Sequence, residues 1–417
     1  MRQSMIDRFL RYVQIDTQSK EGVVDAYPST EKQKVLGRLL VEELLALGLT
    51  DAAMDEHGYI MATLPANLPF DEAVKVPVIG LLAHMDTSPE VSGFNVKPQI
   101  HQNYQGGDIV LPGDMSQVIR ASENPDLAKQ MGHDIITSDG TTLLGADNKA
   151  GIAEILTAVA YLKAHPEIKH GTLRIGFTPD EEVGTGTKFF NVEEFGAQYA
   201  YTVDGEKAGE VENETFNASA ATFKITGVGV HPGYAKGKMV NAVRIAADIV
   251  SALADFPAPE TTEGREGYIH PYVITGGAYE VTIKMLLRDF ELDGNEAKSR
   301  HLNEIRERVA AKYPKAEISL DVVESYRNMR LKLEDVPEVV EYAMEAVTRS
   351  GMEAHLQIIR GGTDGARLSY MGLPTPNLFT GGHNFHSSLE WISVQDMEKS
   401  VETLVHLVQI WVEKQRR

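Results

Sequence analysis

The chain has 417 residues, no cysteine, and a formal net charge of −20 from 60 acidic and 40 basic residues. Its length allows two or three domains with ample core, and 42% hydrophobic with 24% charged residues is the balance of an ordinary soluble globular protein. Disulfides and thiolate metal sites are excluded, leaving His, Asp and Glu as the metal donors; the acidity disfavours nucleic acid and anionic membranes, and no stretch is apolar over a bilayer's width.

Met5, Ile6, Phe9, Leu10 and Val13 fall at helical spacing and predict a first helix. Met1 to Arg8 lack the apolar core of an export signal, so a cytoplasmic protein is expected. A second helix is expected from about Ser29, with Leu36, Leu39, Leu40, Glu43, Leu44 and Leu47 on its apolar face and Gly48 at its end. Asp55 to Leu64 and Val76 to Ala83 read as strands. The second is a short apolar run, as in a strand buried on both faces of a parallel sheet. It leads straight into His84-Met85-Asp86. Ligands gather beyond the carboxyl ends of such strands, so His84 could hold a metal while Asp86 fixes its tautomer. The alternative is a polar strand exit.

The segment from Asp86 to Leu143 is long and turn-rich, and an inserted hairpin and loop is expected there. Asp108, Asp114 and Asp139 suit turns better than ligation. Gly145-Ala146-Asp147-Asn148-Lys149 leads into a helix expected over Ile152 to Ala164, and Asp147 at its opening is either a cap or a ligand. Thr172 to Thr178 reads as a strand that exits into Asp180-Glu181-Glu182. Adjacent glutamates can divide labour, one binding a metal while the other handles protons. Ala200 to Asp204 is a further strand ending in a carboxylate. Three strand exits and one helix start thus offer acids and an imidazole, a repetition that turn chemistry does not explain.

From about Asn217 the pattern becomes strand, helix, two strands, helix, strand, which suits a compact α+β sandwich. It carries His231 on the tight turn Val230-His231-Pro232-Gly233. The expected organisation is α/β: a catalytic domain over 1–213 and 328–417, with a mainly parallel sheet flanked by helices, and an inserted lid domain over 214–327. In the returning part, Arg360-Gly361-Gly362-Thr363-Asp364-Gly365 reads as a glycine-rich turn. It lacks the lysine of a phosphate loop, though its arginine could hold a carboxylate. Gly382-His383-Asn384-Phe385-His386 precedes a last helix with Ser393 to Asp396 as its capping box.

In order, His84-x-Asp86, Gly-Ala-Asp147-Asn, Asp-Glu181-Glu182-Val-Gly, Val-Asp204-Gly and Asn-Phe-His386-Ser resemble the co-catalytic di-zinc peptidases related to carboxypeptidase G and the aminoacylases. The resemblance covers essentially the whole chain. It implies two Zn2+ per chain, with Co2+ or Mn2+ as substitutes. Asp147 is then the shared ligand, His84 and Asp204 complete one site, and Glu182 and His386 complete the other. Glu181 is implied as general base, Asp86 as the partner of His84, and His231 as oxyanion donor. Asn241, Arg288 and Arg360, together with His231, are implied as substrate clamps, with His383 a supporting loop residue. The family usually has a second aspartate where this chain has Asn148, and a cis linkage after the shared aspartate. The implied activity is an aminopeptidase that removes the N-terminal residue of tripeptides through a water activated by both metals. A related dipeptidase, carboxypeptidase or N-acyl-amino-acid deacylase is the alternative, and a non-catalytic peptide binder a more distant one. A homodimer through the lid domain also fits the resemblance.

Overall fold

The computed structural model describes residues 1–415. The chain divides into two compact units: Met1–Asn213 with Leu331–Gln357 and Thr363–Arg417, and Glu214–Arg330 with Ile358–Gly362. The expected boundary at 327/328 lies three residues short of the end of the second unit, which also claims Ile358–Gly362 out of the returning segment.

In the first unit an eight-stranded sheet runs in the order Ala53–Met54, Ile60–Leu64, Leu173–Thr178, Ile79–His84, Tyr199–Gly205, Asn377–Phe379, Glu210–Thr215, His355–Ile359. The four central strands are mutually parallel, and the remaining resolved pairings are antiparallel. All six residues of Ile79–His84 are buried, matching its unbroken apolar run. His84 lies level with Thr178 across the parallel pairing. The carboxyl ends of neighbouring strands therefore deliver His84, the turn holding Glu181 and Glu182, and Asp204 to one edge.

The helix Ala146–Ala164 is buried along nearly its whole length, which is why its apolar residues do not follow a single stripe. It packs on Ile79–His84 and Tyr199–Gly205, and against Arg2–Val13 and Val394–Gln415. Gly151 allows this approach: a Cβ there would stand 1.9 Å from the Val203 carbonyl oxygen, one residue before Asp204. The last helix begins as expected, with Ser393 Oγ accepting the Asp396 N–H.

The segment 86–143 is more ordered than a hairpin and loop. It contains the strands Gln99–His101, Ile109–Val110, Val118–Ile119 and Ile135–Thr137 and the helix Pro125–Lys129. Tyr104, Ile109, Leu111, Ile119, Leu127 and Ile135 form a small core there with Trp391. Asp114 and Asp139 cap turns, accepting the N–H groups of Ser116 and Thr141.

The second unit is an antiparallel sheet ordered Tyr268–Gly276, Glu280–Asp289, Asn217–Thr226, Glu317–Tyr326. Val281, Ile283, Met285 and Leu287 alternate onto its buried face, which the helices Ala242–Ser251 and Leu292–Lys312 cover.

Candidate metal centre

The carboxylate of Asp147 faces two imidazoles. Its Oδ1 is 2.8 Å from His84 Nε2, and its Oδ2 is 3.2 Å from His386 Nε2. Asp204 Oδ1 is 3.3 Å from His84 Nε2, and Glu182 Oε2 is 2.7 Å from His386 Nε2. Two groups of donor atoms result, His84–Asp147–Asp204 and Asp147–Glu182–His386, each with its ligand atoms within 4.8 Å of one another. Asp147 belongs to both.

Local backbone shape aims these side chains. Asp147 and Asn148 depart from helical φ/ψ within the first turn of their helix, and the peptide between them is cis. His386 sits at φ +58°, in the left-handed region. Asp180 is also left-handed, at φ +57°. Its carboxylate accepts the Ser29 N–H, the Ser29 hydroxyl and Gln33 Nε2, while Gln33 Oε1 accepts the Asp180 N–H. The Glu181–Glu182 turn is thereby tied to the start of the second helix.

The histidines are oriented from behind. His84 Nδ1 is 3.0 Å from the Asp86 carbonyl oxygen, an acceptor, so the neutral ring carries its proton on Nδ1 and turns the Nε2 lone pair toward Asp147 and Asp204. Glu90 Oε2 lies 3.4 Å from His386 Nδ1 in the corresponding position.

The electrostatics call for added positive charge. Burial pushes Glu182 up to about 8, with the Asp147 charge adding to it. Burial also pushes Asp204 up to about 6, against the lowering effect of His84. Glu181 is raised well above the ordinary glutamate range by burial, with the charges of Asp204, Asp364 and Glu182 adding and His84 opposing. Burial would lower His386, but its hydrogen bonds to Asp147 and Glu182 raise it to about 11. Glu182 Oε1 is buried with no hydrogen-bond partner among the described residues. Nitrogen and oxygen donors around a shared carboxylate, with one oxygen unsatisfied, fit a pair of divalent cations.

Several groups were not foreseen from sequence. Asp364, buried and pushed up to about 7 by burial, accepts the Thr178 hydroxyl at 2.8 Å. Glu390 accepts backbone amides beside Asp147. An acid entering the apolar strand Trp391–Ser393 was the available signal for Glu390; Asp364 lay in what read as a plain turn and in fact starts the helix Asp364–Tyr370. His383 stacks on Trp391, ring centroids 4.0 Å apart, and burial pushes it down to about 4. A cavity of about 720 Å³ opens against Asp147 and His386, with Glu90, Glu206 and His383 also on its wall.

The remaining expected residues belong to the second unit. The exposed His231 accepts the Gly233 N–H at Nδ1, which puts the neutral ring's proton on Nε2. Asn241 caps the helix Ala242–Ser251 through its side-chain oxygen. Arg288 donates to the carbonyls of Ser219 and Leu287 and lies over the Tyr326 ring. Arg360 donates to the carbonyls of Gly264 and Glu266 and to the Thr262 hydroxyl, beside the rings of Phe216 and Tyr268. These contacts explain why Ile358–Gly362 goes with the second unit, and they leave the Arg360 guanidinium less free to clamp a substrate than the sequence suggests.

Residues 139–410 match the sequence model of peptidase family M20/M25/M40. The chain belongs to that family. It is 51% identical over 414 residues to Peptidase T of Geobacillus sp. (strain WCH70), covering 99% of this chain and 100% of the relative. It is 50% identical to Peptidase T of Bacillus subtilis (strain 168), covering 98% of each. Among solved structures, aminopeptidase PepT from Bacillus cereus ATCC 10987 superposes with a TM-score of 0.76 at 27% identity, covering 99% of both chains. A Bacillus subtilis dinuclear metal-binding peptidase of the M20 family shares the fold, with a TM-score of 0.66 at 15% identity over 99% of this chain and 98% of that one.

Proposed function

We propose that this chain is a metal-dependent aminopeptidase that releases the N-terminal residue from tripeptides, using two Zn2+. One observation carries the reading: Asp147 turns one oxygen to His84 and the other to His386, each imidazole within its own ligand group. The likeness to Peptidase T along nearly the full length supports the tripeptide substrate.

His84, Asp147 and Asp204 would hold one cation, and Asp147, Glu182 and His386 the other. Bound there, such a pair supplies Lewis acidity toward the scissile carbonyl and toward the attacking water. Glu181 serves as general base: burial raises its proton affinity, so it can take the proton from water and return it to the leaving amine. Asp86 keeps His84 in the ligating tautomer. His231 is proposed as the oxyanion donor because its Nε2 carries the proton. Asn241, Arg288 and Arg360 remain proposed clamps, with Arg360 the weakest for the reason above.

The test is a hydrolysis panel on chelator-treated protein with and without Zn2+, Co2+ or Mn2+. Metal-dependent release of alanine from Ala-Ala-Ala, with acetyl-Ala-Ala-Ala untouched, is expected. Cleavage of acetylated amino acids in preference to the free tripeptide would favour a deacylase instead.

A further inference from the structure

The helix that opens at Asp147 has no cap of its own. Its N-cap is Gly145, at φ +85°, and no side chain from that position bonds the first turn. Helix starts leave orphan backbone N–H groups that need acceptors, above all when buried. Here they turn to a residue more than two hundred positions away. Glu390 Oε2 accepts the N–H groups of Leu144 and Gly145, each at 2.7 Å, and Oε1 accepts the Asp147 N–H at 3.0 Å. Glu390 is itself only 1% exposed. Three amides converging on one carboxylate form a charge-assisted set, about twice as strong per bond as neutral pairs.

Glu390 is four residues beyond His386. Asp147 is therefore held twice by the same short segment: its side chain faces His386 Nε2 at 3.2 Å, and its backbone N–H donates to Glu390 at 3.0 Å. The far end of that segment is anchored, because Trp391–Ser393 pairs on both sides, with Gly382–His383 and with Ile135–Thr137. The result is a closed loop of contacts that sets the distance between Asp147 and His386.

We propose that Glu390 is a positioning residue for the metal pair, setting the spacing of the Asp147–Glu182–His386 group in particular. It touches neither substrate nor metal; it acts through the backbone of Asp147. This rests on the metal reading proposed above. Replacing one oxygen by an amide in Glu390→Gln sets N–H against N–H at one of the three bonds, with almost no change in volume. The group containing His386 should be disturbed most, since Asp147 and His386 both sit on this loop of contacts, whereas in the other group Glu390 reaches only the shared Asp147.

The experiment is a calorimetric Zn2+ titration of chelator-treated protein, with unfolding temperature and steady-state kinetics on Ala-Ala-Ala alongside. Wild type should take up two Zn2+. Glu390→Gln should bind one Zn2+ about 10–100-fold more weakly and the other with a clearly smaller loss, with kcat reduced and KM changed little. Glu390→Asp, which keeps the charge, should recover part of the loss and serves if the glutamine variant does not fold. Glu154→Gln, a buried carboxylate on the same helix but outside the site, should leave both binding steps alone. Two wild-type steps in the Glu390 variants would overturn the proposal, as would equal weakening of both steps in proportion to lost stability. Wild-type protein that takes up fewer than two Zn2+ overturns the metal reading and this inference with it.

Discussion

Asp86 holds Glu181 by its backbone: Oδ1 of this fully buried aspartate accepts the glutamate's N–H at 3.0 Å. Oδ2 accepts the N–H of Glu182 at 3.2 Å, and Oδ1 also stands 3.3 Å from His84 Nδ1. One carboxylate thus sets the orientation of an imidazole and the height of the acidic turn facing it. Asp86→Asn should lose one of these acceptors. Metal affinity and kcat are each expected to fall about 10–100-fold, read by Zn2+ titration and by Ala-Ala-Ala kinetics. An unchanged kcat would show that Asp86 only fills space.

Asp147 and Glu181 should separate cleanly on mutation. Asp147→Ala removes the donor common to both groups, so bound Zn2+ should drop below two per chain with activity lost. Glu181→Gln keeps every ligand in place and removes the proton acceptor. It should retain two Zn2+ while kcat falls about 10²–10⁴-fold. Metal analysis and kinetics on the same samples check both; near wild-type turnover by the glutamine variant would sink the assignment of Glu181.

How far the site could be read from sequence depends on where its partners lie. His84, Glu181, Glu182 and Asp204 follow apolar strands whose ends the sequence marks, and parallel pairing then brings those ends side by side. Asp147 on its own reads more readily as a cap than as a ligand, and its structure explains why: it stands at a helix start whose first turn is not helical. Glu390 carries only the weak signal of an acid entering an apolar strand, because its acceptor role depends on amides 243 to 246 positions away. The strand Glu210–Thr215 was missed because Glu-Val-Glu-Asn-Glu-Thr reads as polar, although Glu212 and Glu214 are buried and Glu212 accepts Asn377 Nδ2. The same holds for 86–143, whose small core takes Trp391 from the far end of the chain.

Gln33 offers a test of how rigid the acidic turn must be. Its side chain is fully buried and bonds both the carboxylate and the N–H of Asp180, the left-handed residue before Glu181. Gln33→Leu leaves the Asp180 N–H without its acceptor and strips one donor from the carboxylate. A loss of roughly 1–3 kcal/mol of stability is expected from the unsatisfied buried groups, with a fall in kcat exceeding any rise in KM. Denaturant unfolding and kinetics together read it; stability loss with kcat intact would confine Asp180 to a structural role.

Glu154 should govern part of the pH dependence of stability. It is buried within Ala146–Ala164 against the last helix, where Oε2 accepts the Ser400 hydroxyl at 2.6 Å and Oε1 has no partner among the described residues. Burial raises its carboxyl well above the usual 4.5, opposed by the Ser400 bond and reinforced by the charge of Asp396. A raised folded-state value means that the folded chain keeps a proton the unfolded chain gives up. Stability from this group is therefore full below about pH 4.5 and declines as pH climbs toward the folded value. Glu154→Gln removes the decline while keeping an acceptor for Ser400. Relative to wild type it should gain roughly 1 kcal/mol or more between pH 5 and pH 8, measured by urea unfolding at both values. The same difference at both pH values would mean that Glu154 is ionised in the fold, and that its unpartnered oxygen has found a donor.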